Sequence, residues 1–324
     1  MVLTRSRMMD LFAEQGYVLI EGLLHVEEDL QPVIDEYQSL LDEHTVQLHA
    51  AGELSSTYDH LPFGKRLAAI LHETGGEFYQ HLEITLPQSG ISLETPMHHG
   101  PAVFNLLRNP RLLDVVEEFI GPEIYSNPVQ HVRVKPPQRL LPDAQQDNAL
   151  VGQTLWHQDQ GTVREEADDT TLLTVWVPVT DATEENGCLV LVPGSHKRGL
   201  NLHCYAKNRS GTHEIPDQLV GPTRLPLPMK AGDVLFMSKL TMHSSLPNVS
   251  DSVRWSFDLR YNPIGQATGR RWFPGFVARS RSNPDSELHD PVAWAETWRE
   301  ARARLADRES PMFQRWDQND PLCA

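Results

Sequence analysis

The chain has 324 residues and a mass of 36.7 kDa, with 28 basic against 44 acidic side chains and a net charge of −16. That balance excludes bulk affinity for nucleic acid or an anionic membrane surface, since both need a basic face. Hydrophobic residues make up 40% of the chain, enough for a globular core at this length, and no apolar run reaches the roughly 18 residues that a membrane-crossing helix needs.

The first hundred residues read mainly as helix. Met8, Met9, Leu11 and Phe12 share one side of a short helix that ends near Gly16, and Tyr17–Leu24 reads as a strand. Asp10 and Glu14 interrupt these first turns, so no secretory apolar segment is expected there. Val33, Ile34, Tyr37, Leu40 and Leu41 form the stripe of an amphipathic helix starting near Glu27. A loop follows at Ala50–Thr57. Leu112, Val115, Val116, Phe119 and Ile120 form another helix face, closed by Gly121-Pro122.

From about Tyr125 the texture changes to short strands with Gly and Pro punctuation. Val129–Val134, Leu172–Val179, Cys188–Val192 after the Asn186-Gly187 turn, Val234–Met237 and the alternating Val253–Tyr261 read as strands; Pro137–Asn148 reads as a loop. The pattern suggests a sandwich or jelly roll. The expected organisation is one domain: a mainly helical flank over 1–124, a β core over 125–265, then a loop and a charged helix near Val292–Leu305. Cys188, Cys204 and Cys323 lie far apart with no CxxC spacing. Such an odd, sparse set points to a reducing, cytoplasmic setting and away from a cysteine-based zinc site.

Fifteen histidines and 44 acids give about two His-x-acid pairs by chance, and the chain has three. His25-Glu27 sits at a helix start, where acids suit the dipole without a metal. His81-Glu83 lies outside any clear β signal and reads as structural or surface. His157-Asp159 stands in a β-rich stretch, where residues i and i+2 share a face and converge on one point. His243, after the strand Val234–Met237, is the best third candidate. Two His and one carboxylate form the facial triad of non-haem Fe(II) oxygenases. Arg254, eleven residues on, suits a clamp for a distal carboxylate. Spacing alone leaves this triad and a purely structural role both open. His98-His99 are rival ligands, although neighbours on a strand face opposite ways. His196 reads as fixing the Pro193-Gly194-Ser195 turn, and His203 as a loop residue that could line the site.

These residues resemble the phytanoyl-CoA dioxygenase family of Fe(II)/2-oxoglutarate oxygenases. The resemblance runs from Gly16-Tyr17-Val18-Leu19-Ile20 to about Pro263. It rests on Lys135-Pro136-Pro137, Trp156-His157-Gln158-Asp159, the run from Asn186-Gly187-Cys188 to Pro193-Gly194-Ser195-His196, Gly232-Asp233-Val234, and the series His243, Ser245, Asn248, Ser250, Arg254. It implies a double-stranded β-helix, a cupin-like jelly roll with flanking helices. It implies iron on His157, Asp159 and His243, and 2-oxoglutarate chelating that iron with its far carboxylate on Arg254. Ser245, Gln130 and Trp176 are implied helpers to the cosubstrate; Gln158 and His203 are candidates at the substrate.

The expected activity is O₂-dependent hydroxylation of an aliphatic C–H in a small molecule, with release of succinate and CO₂. Halogenating relatives carry a small residue in place of the carboxylate, and Asp159 is present. Desaturation, cyclisation and epimerisation share the same ligands. A non-catalytic metal-binding jelly roll is the alternative class. A zinc hydrolase would need a general base and would give Arg254 no role. From Ser252 to Ser282 the chain carries Arg254, Arg260, Arg270, Arg271, Arg279 and Arg281 against the single acid Asp258. Arg260 shares the parity of Arg254, so both should face the interior. Two roles follow for Arg260: binding a carboxylate or phosphate of the substrate, or pairing with a structural acid.

Overall fold

The computed structural model describes residues 4–141, 152–205, 213–306, 308, 315–316 and 320–323. Part of the expected Pro137–Asn148 loop therefore lies outside the described residues. Helices α1 (Arg5–Gln15), α2 (Gln31–Ala50), α3 (Phe63–Glu73), α4 (Tyr79–Leu82), α5 (Pro101–Leu107) and α6 (Pro110–Ile120) precede most of the strands, and a last helix spans Pro291–Leu305. The strands are β1 (Tyr17–Ile20), β2 (Glu123–Ser126), β3 (His131–Lys135), β4 (Leu173–Pro178), β5 (Leu189–Leu191), β6 (Cys204–Tyr205), β7 (His213–Glu214), β8 (Leu225–Leu227), β9 (Val234–Ser238), β10 (His243–Ser245), β11 (Arg254–Pro263) and β12 (Phe276–Ser280).

Two antiparallel sheets carry the site. The larger runs β1-β9-β4-β11-β2-β12, with β3 also paired to β11; the smaller runs β10-β5-β8. The large sheet thus draws β1, the start of β2 and β12 from outside the expected 125–265 span. A strand needs a partner for its backbone groups wherever it falls in the chain, and β1 finds one in β9 with Tyr17 opposite Met237.

β11 shows why the interior is polar. Trp255, Phe257, Leu259 and Tyr261 point to one side and join Val175, Val177 and Phe236 in the core beneath α2, α5, α6 and the last helix. Residues of the other parity, Arg254, Ser256, Asp258 and Arg260, face the opposite way, and three of the four line the cleft at the site. A smaller apolar cluster around Trp176, Leu189, Leu191, Leu235 and Met237 fills the space between the sheets.

Local details follow from side-chain chemistry. Gly16 closes α1 with φ +84°, and a Cβ there would meet the His196 ring. His196 in turn lies 3.1 Å from the Ala13 carbonyl, so it ties its turn to α1. Asn109 caps α6 by accepting from the Arg111 and Leu112 amides. The predicted start near Glu27 becomes a π-turn over Val26–Leu30 before α2 begins.

The cysteine reading is corrected. Cys204 and Cys323, 119 residues apart, form a disulfide, and Cys188 is a buried free thiol. Sequence distance says nothing about proximity in space, and the cysteine argument for a reducing compartment falls with the pairing. No helix among the described residues is long and apolar enough to cross a membrane.

Candidate metal centre and cosubstrate cleft

His157 does not sit in a regular strand. It forms an isolated antiparallel bridge with His243, each backbone amide donating to the other's carbonyl at 3.0 Å. Directly opposed residues send their side chains to the same face, and the two imidazole centroids lie 4.1 Å apart. Gln158 is extended, so Asp159 returns to the face of His157 before the chain turns into a short 3-10 helix over Asp159–Thr162. The i, i+2 geometry survives although the strand does not. One nitrogen or oxygen from each of His157, Asp159 and His243 lies within 4.8 Å of the others, and all three residues are buried.

Each histidine is aimed by its second nitrogen. Nδ1 of His157 lies 2.8 Å from the Leu155 carbonyl, and Nδ1 of His243 lies 3.0 Å from the Thr241 carbonyl. A carbonyl only accepts, so the proton sits on Nδ1 and the Nε2 lone pair faces the centre, as a metal ligand requires. Burial, then the neighbouring His243, pushes the pKa of His157 well down and keeps it neutral.

Asp159 is held from both sides by a sheet pair in register. Thr174 on β4 stands opposite Arg260 on β11. The Thr174 hydroxyl donates to Oδ2 of Asp159 and Nη2 of Arg260 donates to Oδ1. Burial acts to raise the Asp159 pKa, but Arg260 and the two histidines outweigh it and the carboxyl stays ionised, well below its usual range. Thr174 was not singled out by the sequence. Its alternation with Trp176 on a β-rich run was the available signal. Thr174→Val keeps shape but removes the donor, and should weaken Fe(II) binding about tenfold while Thr174→Ser retains it; anaerobic competition against a chelator measures this.

A narrow cleft adjoins the three ligands, lined by Arg133, Trp176, Leu189, Arg254 and Asp258. Arg254 is fully buried. Nη1 donates to the Ser256 hydroxyl at 2.6 Å, while Nε and Nη2 have no hydrogen-bond partner among the described residues. Burial lowers its pKa to about 10, so it remains a cation at neutral pH. The Trp176 ring centroid lies 5.6 Å from the guanidinium carbon, and its indole N–H also has no hydrogen-bond partner among the described residues. Two idle guanidinium nitrogens in a buried cleft fit the distal carboxylate of 2-oxoglutarate, because a buried cation without an acceptor is costly. Lys135 stands opposite Arg254 in register and donates to the Ser245 hydroxyl at 2.6 Å and the Leu246 carbonyl at 2.8 Å. Ser245 therefore binds Lys135 and the Thr154 amide, and of these three residues only Thr154 lines the cleft. Arg133, which also borders the outer mouth, pairs with Asp258 on the cleft wall. Neither member of that pair was singled out for the site; the parity of Asp258 with Arg254 was the readable sign.

Three assignments are corrected. Gln158 faces away from the centre: its amide donates to the Gly199 and Leu240 carbonyls and its oxygen accepts from the Asn201 amide, so it binds loops rather than a ligand. Gln130 is buried just before β3 and lines neither cavity, whereas His131 and Arg133, of the other parity, do. Arg260 faces the interior like Arg254, but spends Nη2 on Asp159 and Nη1 on the Val129 carbonyl at 2.7 Å. Its acid is a candidate metal ligand, and no free fork is left for a substrate anion. The rest of the arginine run disperses too. Arg279 pairs with Asp114 and Glu117, Arg281 with Glu117, and Arg271 covers Trp272.

A wider mouth of about 270 Å³ opens above the ligands, bordered by Gln80, Glu83, Thr85, His131, His203 and Arg270. Glu83 is buried there against His131 and the Val132 amide. The rival histidines lie elsewhere: His98 contacts Glu36 at 2.9 Å, and His99 stacks on Trp298.

Two imidazoles and a tethered carboxylate on one face, beside a buried arginine cleft, are the donor set that an Fe(II)/2-oxoglutarate oxygenase uses. A profile of the family described as phytanoyl-CoA dioxygenase (PhyH) matches residues 12–256, and the chain belongs to that family. It is 29% identical over 168 residues to a probable phytanoyl-CoA dioxygenase of Caenorhabditis elegans, covering 50% of this chain and 51% of the relative. It is 36% identical over 114 residues to a methylphosphonate hydroxylase of Gimesia maris, covering 35% and 42%. The match thus spans roughly half the length of these curated relatives. The solved structure of the non-haem monooxygenase ThoJ shares the fold, with a TM-score of 0.54 at 17% identity over 91% of this chain and 96% of that one.

Proposed function

We propose that the protein hydroxylates an aliphatic C–H bond of a small molecule, using Fe(II) on His157, Asp159 and His243 and 2-oxoglutarate on Arg254. We read the two facing sheets as a double-stranded β-helix that forms one domain with its helical flank. The observation that carries the functional reading is the pairing of a convergent His-Asp-His set with a buried arginine whose Nε and Nη2 lack hydrogen-bond partners among the described residues.

Bound Fe(II) and 2-oxoglutarate supply O₂ activation coupled to loss of CO₂, leaving succinate and placing one oxygen atom in the substrate. The chain supplies the rest. Leu155 and Thr241 carbonyls fix the imidazole tautomers, Thr174 and Arg260 fix the carboxylate, and Arg254 orients the cosubstrate. Trp176 and Leu189 keep the cleft dry. Hydrogen abstraction needs no protein base, and Arg254 has a role here that a zinc hydrolase would not give it. The mouth is sized for a small molecule, and Arg270 on its border favours a substrate with an anionic group. A relative named for methylphosphonate, a small anion, agrees with that.

Succinate formation from 2-oxoglutarate, with Fe(II), O₂ and ascorbate, tests the reading. Slow turnover alone, accelerated by small organic acids or phosphonates, is expected. No succinate under any of these conditions would mean a non-catalytic binding protein.

A further inference from the structure

The turn that carries Asp159 is buttressed by residues far away in sequence. Trp316 stacks on the His203 imidazole with centroids 4.7 Å apart and planes 21° apart, and its indole N–H donates to the Gly161 carbonyl at 2.8 Å. Its neighbour Arg315 grips Asp168 through two contacts of 2.6 and 2.8 Å, and Asp168 also accepts from Gln160 at 2.6 Å. The disulfide joins Cys323 to Cys204, the residue after His203.

His203 passes this contact on to the ligand segment. Its Nδ1 lies 2.9 Å from the Asn201 carbonyl and so carries the proton; Nε2 accepts from the Gln158 amide at 3.0 Å. That amide lies between His157 and Asp159. The ring is pressed on the turn, since a Cβ on Gly161 would lie 2.3 Å from it. A four-residue 3-10 turn has weak hydrogen bonds of its own, so its position depends on such outside partners. Burial lowers the His203 pKa to about 4, which preserves the acceptor nitrogen at neutral pH.

We propose that Trp316 is a positioning residue of the metal centre, clamping His203 and Gly161 against the His157–Asp159 segment, with the Cys204–Cys323 disulfide keeping it in place. This rests on the Fe(II) reading above. The clamp acts through the geometry of Asp159, which must be held to about 0.5 Å for ordered coordination.

Anaerobic Fe(II) titration of the full chain tests it, with Trp316→Ala, Trp316→Phe, His203→Ala, the Trp316/His203 double alanine variant and Cys323→Ser. Trp316→Ala should weaken Fe(II) binding roughly threefold to tenfold, below the 10–100-fold typical of groups that touch the ligands themselves. Trp316→Phe keeps the stacking and should recover part of the loss. The double variant should lose less than the two single losses combined, because both act through one contact. Cys323→Ser should shift affinity in the same direction. Wild-type Fe(II) affinity in Trp316→Ala and Cys323→Ser would overturn the proposal, as would a lower melting temperature with unchanged affinity. Wild-type protein that fails to bind Fe(II) contradicts the functional reading instead.

Discussion

His157→Ala and His243→Ala are each expected to abolish succinate formation and to weaken Fe(II) binding by more than about a hundredfold. Losing an outer partner of a metal ligand already costs roughly 10–100-fold, and these variants lose the ligand itself. Their folds should persist, since among the described residues each imidazole hydrogen-bonds to a single carbonyl, two residues away. Asp159 behaves differently. Asp159→Gly should also stop hydroxylation, while the two histidines retain weak iron binding. It further strands the buried Arg260 guanidinium, so stability should fall by about 3–5 kcal/mol. Near-normal turnover in either histidine variant would falsify the ligand assignment.

Arg254→Ala is expected to raise the 2-oxoglutarate requirement by about tenfold to a hundredfold. A charge-assisted contact of this kind contributes about 1.5–3 kcal/mol. Arg254→Lys should restore only part, for lack of the planar fork. The apoprotein should lose little stability, because Arg254 donates to a single side chain among the described residues, Ser256, and its burial is unfavourable. A structural arginine would show the reverse: a lower melting temperature with normal cosubstrate affinity. The lowered pKa adds a pH test. Arg254 must be protonated to hold the carboxylate, so affinity should hold through neutral pH and fall as pH rises through about 10. Titration calorimetry across pH 7–11 measures it.

Much of this centre is legible in the sequence. Parity on the strand Val253–Tyr261 put Arg254 and Arg260 on the interior face, and the His-x-Asp spacing put His157 beside Asp159. What parity could not give was partnership across strands. That Thr174 stands opposite Arg260, and Lys135 opposite Arg254, depends on register, which is set by pairing between segments more than 80 residues apart. The same limit explains Gln158: its loop partners Gly199, Asn201 and Leu240 are assembled only by the fold. It also explains the cysteines, whose pairing joins residues 119 apart. Gln130 entered only through the family resemblance, and the register of β3 (His131–Lys135) against β11 brings His131 and Arg133 to the cavities instead.

The central claim is that one buried centre holds Fe(II) on His157, Asp159 and His243 together with 2-oxoglutarate on Arg254. Anaerobic titration of the purified protein with Fe(II) and 2-oxoglutarate, followed by visible absorption, addresses it directly. The account predicts a metal-to-ligand charge-transfer band that needs both additions, saturates at one equivalent of iron, disappears in His243→Ala, and needs more 2-oxoglutarate in Arg254→Ala. A wild-type spectrum unchanged by the two additions, or a band of full intensity in His243→Ala, would contradict it.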